Sequence, residues 1–443
     1  MRSAAAPGDR PPVPSPGERD DVRHFGARRR LSGADGVRAV AALWVVLYHL
    51  FQRLSLPDQA PWLQDVQLVV MKGSFGVSIF FVLSGMLLSL PFWRAYLTDG
   101  ELPNVAHYVR RRVARIVPGF YASLLVSFVV GLALFPDVPY QLWRLVSGLT
   151  FTSGLHWVTF FPVEANGPLW SIGFEVISYV LMPLAMCGLF ALRRRGVRIG
   201  LGYWLGVFAL VIAVNQWIVT TFAPSAVGRG WQYGNLGGAK EWMPSYNPIG
   251  FFGHFTMGIF AAALIAIWQV RRGGERRWRF DALAGVAIAG AFALVWVFRD
   301  PPEPLYLPNF QGQPYLFPMF AGLVALALVG LAHSRVLGRL VDNRFARYTA
   351  KVSFGIYIWH YLVLHLFSRL TDGEFEYYGI TDPWRHLGLS FGVLAVTYAV
   401  ASASWFWLER PVLASRWANR TTPPRGKPRA TVPEAASAVS TAD

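Results

Sequence analysis

The chain has 443 residues, of which 54% are hydrophobic and 15% are charged, and its formal net charge is +16. This apolar content excludes an ordinary soluble globular protein and indicates a polytopic membrane protein. The net charge does not indicate nucleic-acid binding, because the basic residues form short clusters between apolar segments, as they do in the cytoplasmic loops of membrane proteins. The single cysteine, Cys187, excludes an intramolecular disulfide.

Polar segments rich in proline flank the apolar part of the chain. We expect residues 1–30 and 413–443 to be disordered cytoplasmic tails, and residues 31–412 to form one transmembrane domain. Arginine supplies nearly all of the positive charge, and alanine and glycine are abundant, as in proteins encoded by high-GC bacterial genes. We therefore expect a multi-pass protein of the bacterial cytoplasmic (inner) membrane.

The first apolar segment, residues 33–51, has an arginine at its start and a histidine deep inside. Arg38 and His49 are eleven residues apart, which places them within about 20° of one helix face and about 16 Å apart along the axis. If this helix crosses a hydrocarbon layer about 30 Å thick, Arg38 lies at one interface and His49 near the middle. An intramembrane imidazole is a functional candidate, although a histidine bonded to a neighbouring helix would give the same pattern.

A row of arginines lies between the second and third apolar segments. Arg111 and Arg112 precede Arg115 by four and three residues, so the three side chains share one stripe of a helix. Guanidinium groups arranged in this way suit phosphate, because each offers planar donors with a permanent charge. The alternative is topogenic charge at the cytoplasmic surface. Pro118 is then expected to begin the third span.

A carboxylate lies inside the fourth apolar segment. Asn166 and Pro168 are typical of a helix start, and Ser171 and Glu175 then lie four residues apart on one face. Glu175 would be about two turns inside the membrane, where a carboxyl group must be protonated, paired or in contact with water. A functional use and a purely structural use both fit this position.

The ninth apolar segment brings a second histidine into the membrane. Ser353, Tyr357 and His360 occur at positions i, i+4 and i+7 and therefore share one helix face. His360 lies about 10 Å beyond Ser353, so it approaches the interior from the cytoplasmic side. The tenth segment closes with Glu409 and Pro411, which we expect to stop the helix at the surface.

Counting the apolar segments predicts an all-α bundle of about ten transmembrane helices with both termini in the cytoplasm. This topology places four basic clusters on the cytoplasmic side without adjustment: residues 110–115, 193–198, 271–279 and 335–351. Small residues in the second segment, about residues 75–93, favour close packing with another helix.

Six short motifs, in order along residues 31–412, resemble those of the acyltransferase type 3 family of integral-membrane O-acyltransferases. They are ADGVRAVAALWVVLYH with Arg38 and His49, FFVLSG at 80–85, Arg112 with Arg115, WSIGFE at 170–175, SFGIYIWH at 353–360, and Glu409-x-Pro411. The departures are mild, since Ile172, Phe354 and Ile358 stand where the family pattern has leucine, tyrosine and leucine.

The resemblance implies transfer of an acyl group, often acetyl, from acyl-CoA to a hydroxyl of a carbohydrate or glycosylated compound. Acyl-CoA would be a co-substrate, with no tightly bound cofactor. The acceptor would be an envelope glycan, a glycolipid or a macrolide-like metabolite. No metal site is expected, because the histidines lack paired ligand spacing.

The donor and the base can be assigned to residues already singled out. A neutral imidazole can take the proton of an attacking hydroxyl, so we assign the general base to His49. CoA carries several phosphates, which Arg111, Arg112 and Arg115 can hold, aided by Arg38.

The remaining intramembrane polar groups have secondary roles in this hypothesis. Glu175 can orient the imidazole or bind the acceptor hydroxyl. His360 and Tyr357 can donate to the oxyanion that develops on the thioester carbonyl.

Two other function classes fit a bundle with buried polar groups. One is a transporter of sugars, lipids or antibiotics, which paired broken helices in inverted repeats would favour, and the sequence shows no such repeat. The other is a catalytically silent scaffold in an envelope-glycan assembly, which does not explain the intramembrane histidine and glutamate.

Overall fold

The computed structural model describes residues 31–300, 313–371 and 378–420 of the chain. In these ranges every regular element is helical, and the β pairing is limited to a single bridge between Leu54 and Ile380. The predicted all-α fold is therefore confirmed.

The helices of the first half of the chain include long apolar segments and short connecting ones. They are α1 (Ala34–Phe51), α2 (Pro61–Met71), α3 (Gly76–Leu97), α4 (Val105–Leu134), α5 (Gln141–Leu149), α6 (Trp170–Ala191) and α7 (Val197–Thr221). A 3₁₀ turn, Lys72–Phe75, joins α2 to α3, and another, Gly167–Leu169, leads into α6.

The second half continues in the same way. Its helices are α8 (Gly234–Trp242), α9 (Pro248–Arg272), α10 (Trp278–Val297), α11 (Met319–His333), α12 (Leu337–Val341), α13 (Arg344–Leu370), α14 (Pro383–Ser404), α15 (Arg410–Ala414) and α16 (Arg416–Asn419). A π-helical turn, Trp405–Glu409, joins α14 to α15 without a break in the chain direction.

Eight helical stretches in the described residues are long and apolar enough to cross a membrane. They are Ala34–Phe51, Pro61–Leu97, Val105–Leu134, Gly167–Ala191, Val197–Thr221, Pro248–Arg272, Trp278–Val297 and Pro383–Ala414. Two further helices lie where spans were predicted: α11 has only 15 residues, and α13 begins with cationic turns. The count of about ten spans and the cytoplasmic location of both termini stay predictions.

The arginine row belongs to a spanning helix and does not precede one. α4 starts at Val105, where the Asn104 side chain accepts a hydrogen bond from the backbone N–H of His107, and it continues through Pro118. Pro118 therefore lies inside α4 and does not begin the helix. A proline inside a membrane helix is tolerated because neighbouring groups can satisfy the carbonyl that it leaves free.

The ordered part of the chain also extends further than predicted. Residues 413–420, assigned above to a disordered tail, include the end of α15 and all of α16. Arg111 of α4 donates from Nη1 to the Leu413 carbonyl at 3.3 Å and to Asn419 Oδ1 at 2.8 Å. These hydrogen bonds hold the segment against α4. The remainder of the expected tails, residues 1–30 and 421–443, lies outside the described residues.

α3 and α9 approach each other so closely that their backbones are in contact. A Cβ atom at Gly85 would lie 2.1 Å from the Phe255 carbonyl oxygen, and one at Gly258 would lie 1.9 Å from that of Val82. This contact agrees with the packing role predicted for the small residues of the second segment.

The start of α1 is fixed by the loop between α12 and α13. The Asp342 carboxylate accepts hydrogen bonds from the backbone N–H groups of Gly33, at 2.7 Å, and Gly36, at 2.8 Å. A Cβ atom at Gly36 would lie 2.5 Å from the Val341 carbonyl oxygen. Only glycine fits at this position, which lies two residues before Arg38.

We expect Gly36→Ala to destabilise the protein by about 1–3 kcal/mol, because a backbone carbonyl cannot move aside as a flexible side chain can. Thermal unfolding of the purified protein in detergent measures this loss. Gly202→Ala in α7 is the matched control, since its Cβ would meet nothing within 4 Å. An equal loss of stability in both variants would contradict the close contact at Gly36.

Candidate active site

A cavity of about 800 Å³ lies among α1, α3, α4, α6 and α13. Its wall is strongly cationic, with seven basic side chains against the two carboxylates of Asp35 and Glu175. The basic residues are Arg38, Arg111, Arg112, Arg115, Arg344, Arg347 and Lys351. They come from the early turns of α1, α4 and α13, so the positive charge is concentrated at one end of the bundle.

The opposite end of the cavity is lined by hydroxyl groups. Tyr357 and Ser171 lie there, with their side-chain oxygens 2.6 Å apart. Tyr357 also donates to the Pro168 carbonyl at 3.1 Å. Arg344 and Tyr357 are thirteen residues apart on α13, so the cavity extends for about 20 Å along this helix.

Arg115 is neutralised by a buried partner. Its Nη1 lies 2.9 Å from Glu409 Oε2, and its guanidinium group lies over the rings of Trp405 at 5.1 Å and Phe354 at 5.5 Å. The prediction that Glu409 stops a helix at the surface was therefore wrong. The carboxylate is fully buried, because the π-helical turn carries the chain onward and directs this residue toward α4.

The other predicted phosphate ligands differ in how free they are to bind. Arg111 is engaged with the C-terminal helices through Leu413 and Asn419. The Arg112 guanidinium lies 5.9 Å from the centre of the Tyr179 ring and, within the described ranges, forms no ion pair. Arg112 therefore offers its charge to the cavity more fully than Arg115 does.

Glu175 lies in the cavity wall and is held by two hydroxyl groups. Ser84 donates to Glu175 Oε1 at 3.0 Å, and Tyr179 donates to the same oxygen. Tyr179 is one turn beyond Glu175 on α6, and its ring also contacts Arg112. These contacts meet the requirement that a carboxylate at this depth be hydrogen-bonded.

The two predicted histidines do not line the cavity. The side chains of Phe80 and Tyr357, packed edge to face at 5.8 Å, lie at its inner end. The His360 ring centre is 6.0 Å from that of Tyr357, and the His49 ring centre is 5.3 Å from that of His360. The structure therefore brings Tyr357, His360 and His49 into contact in that order, with only Tyr357 in the cavity wall.

His49 is partly exposed and lies in the last turn of α1. It lies about 22 Å from the start of α1, and the helix ends two residues later. The position of His49 near the middle of the membrane stays a prediction. Its Nδ1 is 3.0 Å from Gln52 Oε1, and its ring packs edge-on against Tyr361 at 4.7 Å. A ring in this place faces the end of the bundle opposite the arginine row.

Sequence reasoning missed several residues of the cavity. Arg344, Arg347 and Lys351 were treated only as topogenic charge, although their i, i+3 and i+7 spacing places them on one helix face. Tyr179 stands four residues after Glu175, which also predicts contact on one face of α6.

Comparison with known proteins bears on what this cavity does. The family model of the acyltransferase domain matches residues 31–402, which is most of the chain. The chain belongs to the acyltransferase type 3 family. The family predicted from the motifs is thereby confirmed, and the enzyme hypothesis is favoured over the transporter.

Curated relatives of this chain are distant but match over most of its length. Peptidoglycan O-acetyltransferase OatA of Listeria monocytogenes is 23% identical over 89% of this chain and 57% of its own. YrhL of Bacillus subtilis, provisionally named a peptidoglycan O-acetyltransferase, is 26% identical over 87% of this chain and 55% of its own. A provisionally named O-acetyltransferase of Staphylococcus aureus is 21% identical over 86% and 57%.

The chain thus spans little more than half the length of the curated relatives it matches. No solved structure matches it. Its family motifs, far apart in sequence, converge on the cavity. FFVLSG contributes Phe80 and Ser84 to the cavity wall, and WSIGFE contributes Ser171 and Glu175. Glu409 forms an ion pair with Arg115, which lines the cavity.

Proposed function

We propose that this acyltransferase transfers an acyl group, normally acetyl, from acyl-CoA to a hydroxyl of an envelope carbohydrate in the bacterial cytoplasmic membrane. One observation carries the proposal: a cavity with seven cationic side chains at its mouth and hydroxyl groups at its inner end. Such a cavity suits a long, slender ligand that has phosphates at one end.

The dimensions of the cavity support acyl-CoA as the donor. Guanidinium groups bind phosphate through planar, charge-assisted hydrogen bonds, and the arginines lie where a nucleotide would enter. Pantetheine is on the order of 15–20 Å long, and the cavity extends about 20 Å from Arg344 to Tyr357. A CoA headgroup at the mouth would therefore place its thioester near Tyr357.

The contacts of His49 support its assignment as general base. If Nδ1–H donates to Gln52 Oε1, the Nε2 lone pair is left to accept the proton of an attacking hydroxyl. In this proposal the thioester passes Phe80 and Tyr357, which pack against each other in the cavity wall, to reach this ring. We therefore include in the proposal a movement of these two side chains when acyl-CoA is bound.

The place of His49 also supports entry of the acceptor from the side opposite the arginines. The ring is partly exposed and lies at the end of α1 remote from Arg38. Two relatives are named for acetylation of peptidoglycan, a carbohydrate of the cell envelope. A carbohydrate hydroxyl is therefore the acceptor we propose.

Glu175 and Tyr357 take part on the donor side in this proposal. Glu175 is held by Ser84 and Tyr179 inside the cationic cavity, which supports a role in arranging the donor site. Tyr357 directs its proton to the Pro168 carbonyl at 3.1 Å. It would have to give up that hydrogen bond before it could donate to an oxyanion.

The proposal is tested by comparing a deletion strain with the same strain complemented by the wild-type gene. We expect glycans or glycosylated metabolites of the deletion strain to lack a mild-alkali-labile ester, seen as a loss of about 42 mass units for acetyl. Membranes with the protein should transfer label from radioactive acetyl-CoA to the same molecule. Identical ester content in both strains, or uptake of a molecule without covalent change, would contradict the proposal.

A further inference from the structure

His360 has a defined protonation pattern because of where its Nδ1 lies. The side chain is 1% exposed, and Nδ1 is 2.7 Å from the Tyr357 carbonyl oxygen and 3.1 Å from that of Ile356. Carbonyl oxygens only accept hydrogen bonds, so Nδ1 carries the proton. In the neutral ring, Nε2 then has a free lone pair.

This lone pair has no hydrogen-bond partner among the described residues. His360 Nε2 is buried, and a buried acceptor without a partner is unfavourable unless something else satisfies it. The role suggested by sequence, donation to an oxyanion, does not fit this tautomer. A neutral His360 has its only N–H turned to its own backbone.

The position of His360 connects the two halves of the proposed site. Its ring contacts Tyr357, which lies at the inner end of the cavity, with ring centres 6.0 Å apart. On its other side it contacts His49, with ring centres 5.3 Å apart. His360 is therefore the imidazole nearer the thioester, and His49 is the one nearer the exposed end.

We propose that His360 is a second proton-carrying residue of the reaction, acting through its Nε2 lone pair together with His49. The inference rests on the proposed acyl transfer. As the acceptor oxygen bonds to the thioester carbonyl carbon, its proton moves to the imidazole pair. When the C–S bond then breaks, the proton passes from the pair to the CoA sulfur. His360, on the donor side, returns it.

The groups around this pair are few. Gln52 and Arg53 follow His49 on the chain, and Tyr361 and His365 lie on α13. Tyr361 packs against both rings of the pair, which keeps them in contact. The carboxylates that line the cavity are those of Asp35 and Glu175, and Glu175 is hydrogen-bonded to Ser84 and Tyr179.

His360→Asn separates the two functions of the ring. The asparagine amide can keep the hydrogen bond from the Nδ1 position to the Tyr357 carbonyl, but it has no group at the Nε2 position. We expect acyl transfer to fall at least about 100-fold, as when a general acid–base group is lost. The affinity of the purified variant for radioactive acetyl-CoA should stay within about threefold of wild type. Loss of structure would instead lower both acyl transfer and acetyl-CoA binding.

His333→Asn is the matched control. His333 is 2% exposed, its Nδ1 is 3.4 Å from the carbonyl four residues earlier, and its Nε2 also has no partner among the described residues. It packs against Phe280 and Trp268, away from the residues that line the cavity. We expect it to transfer acyl groups within about twofold of wild type.

The readout is acetate released by mild alkali from the envelope-glycan fraction of a deletion strain that expresses each variant at a matched level. Near-wild-type acetate from His360→Asn would overturn the inference. If that variant does not fold, His360→Ala assayed with and without 4-methylimidazole decides: rescue supports the inference, and no rescue overturns it. Absence of ester in the wild-type strain would instead contradict the proposed function.

Discussion

His49→Asn is expected to abolish acyl transfer while leaving acetyl-CoA binding unchanged. The asparagine amide can still donate to Gln52 Oε1, which is 3.0 Å from Nδ1 in the native ring, but it cannot accept the hydroxyl proton. Loss of a general base lowers the rate by about 10²–10⁴-fold. Donor binding should persist because His49 does not line the cationic cavity.

Two quantities are measured. They are the acetate released by alkali from the complemented deletion strain, and the binding of radioactive acetyl-CoA to the purified variant. His386→Gln is a suitable control, because His386 also lies near the end of α1, with Nε2 3.0 Å from the Leu50 carbonyl, a hydrogen bond that glutamine can keep. A near-normal rate in His49→Asn would remove His49 as base. Loss of acetyl-CoA binding would contradict its location outside the donor cavity.

Arg112→Gln is expected to weaken acetyl-CoA binding by about 10–100-fold, since a hydrogen bond to a charged group contributes about 1.5–3 kcal/mol. Arg112 lines the cavity and, among the described residues, forms no ion pair. The thermal stability of the protein should change little. Equilibrium binding of radioactive acetyl-CoA measures the effect directly.

Arg110→Gln and Arg115→Gln are the controls for this prediction. Arg110, one position from the cavity-lining row, donates to the Arg420 carbonyl at 2.6 Å and should have little effect on binding. Arg115→Gln leaves the buried Glu409 without its ionic partner and should mainly lower the unfolding temperature. Equal acetyl-CoA affinity of Arg112→Gln and wild type would reject the phosphate assignment.

Several structural features follow directly from local sequence. Apolar segments long enough to cross a membrane predict spanning helices. The i, i+4 spacing of Ser171 and Glu175 predicts that both lie on one helix face, and both line the cavity. The spacing of Arg112 and Arg115 likewise predicts their common face. These properties depend on hydropathy and helix periodicity, which a short window of sequence contains.

Helix boundaries were harder to predict from the sequence. A helix can continue from the membrane into the protein interior, because the two differ little in polarity. Pro118 does not begin a helix, and Glu409 does not end one at the surface. The buried carboxylate of Glu409 is accommodated by its ion pair with Arg115 of α4. The π-helical turn at Trp405–Glu409 is part of this arrangement, and no local pattern indicated it.

The sequence by itself determined that this is a multi-pass helical protein of the acyltransferase type 3 family, because composition, periodicity and ordered motifs are properties of the chain alone. Only the tertiary structure decided that Glu409 neutralises Arg115, from 294 residues away. It also decided that His360 lies between His49 and Tyr357, the one of the three that lines the cavity. It also decided the tautomer of His360. Such choices depend on which helices pack together and how each is rotated, and helix packing is set by the whole bundle.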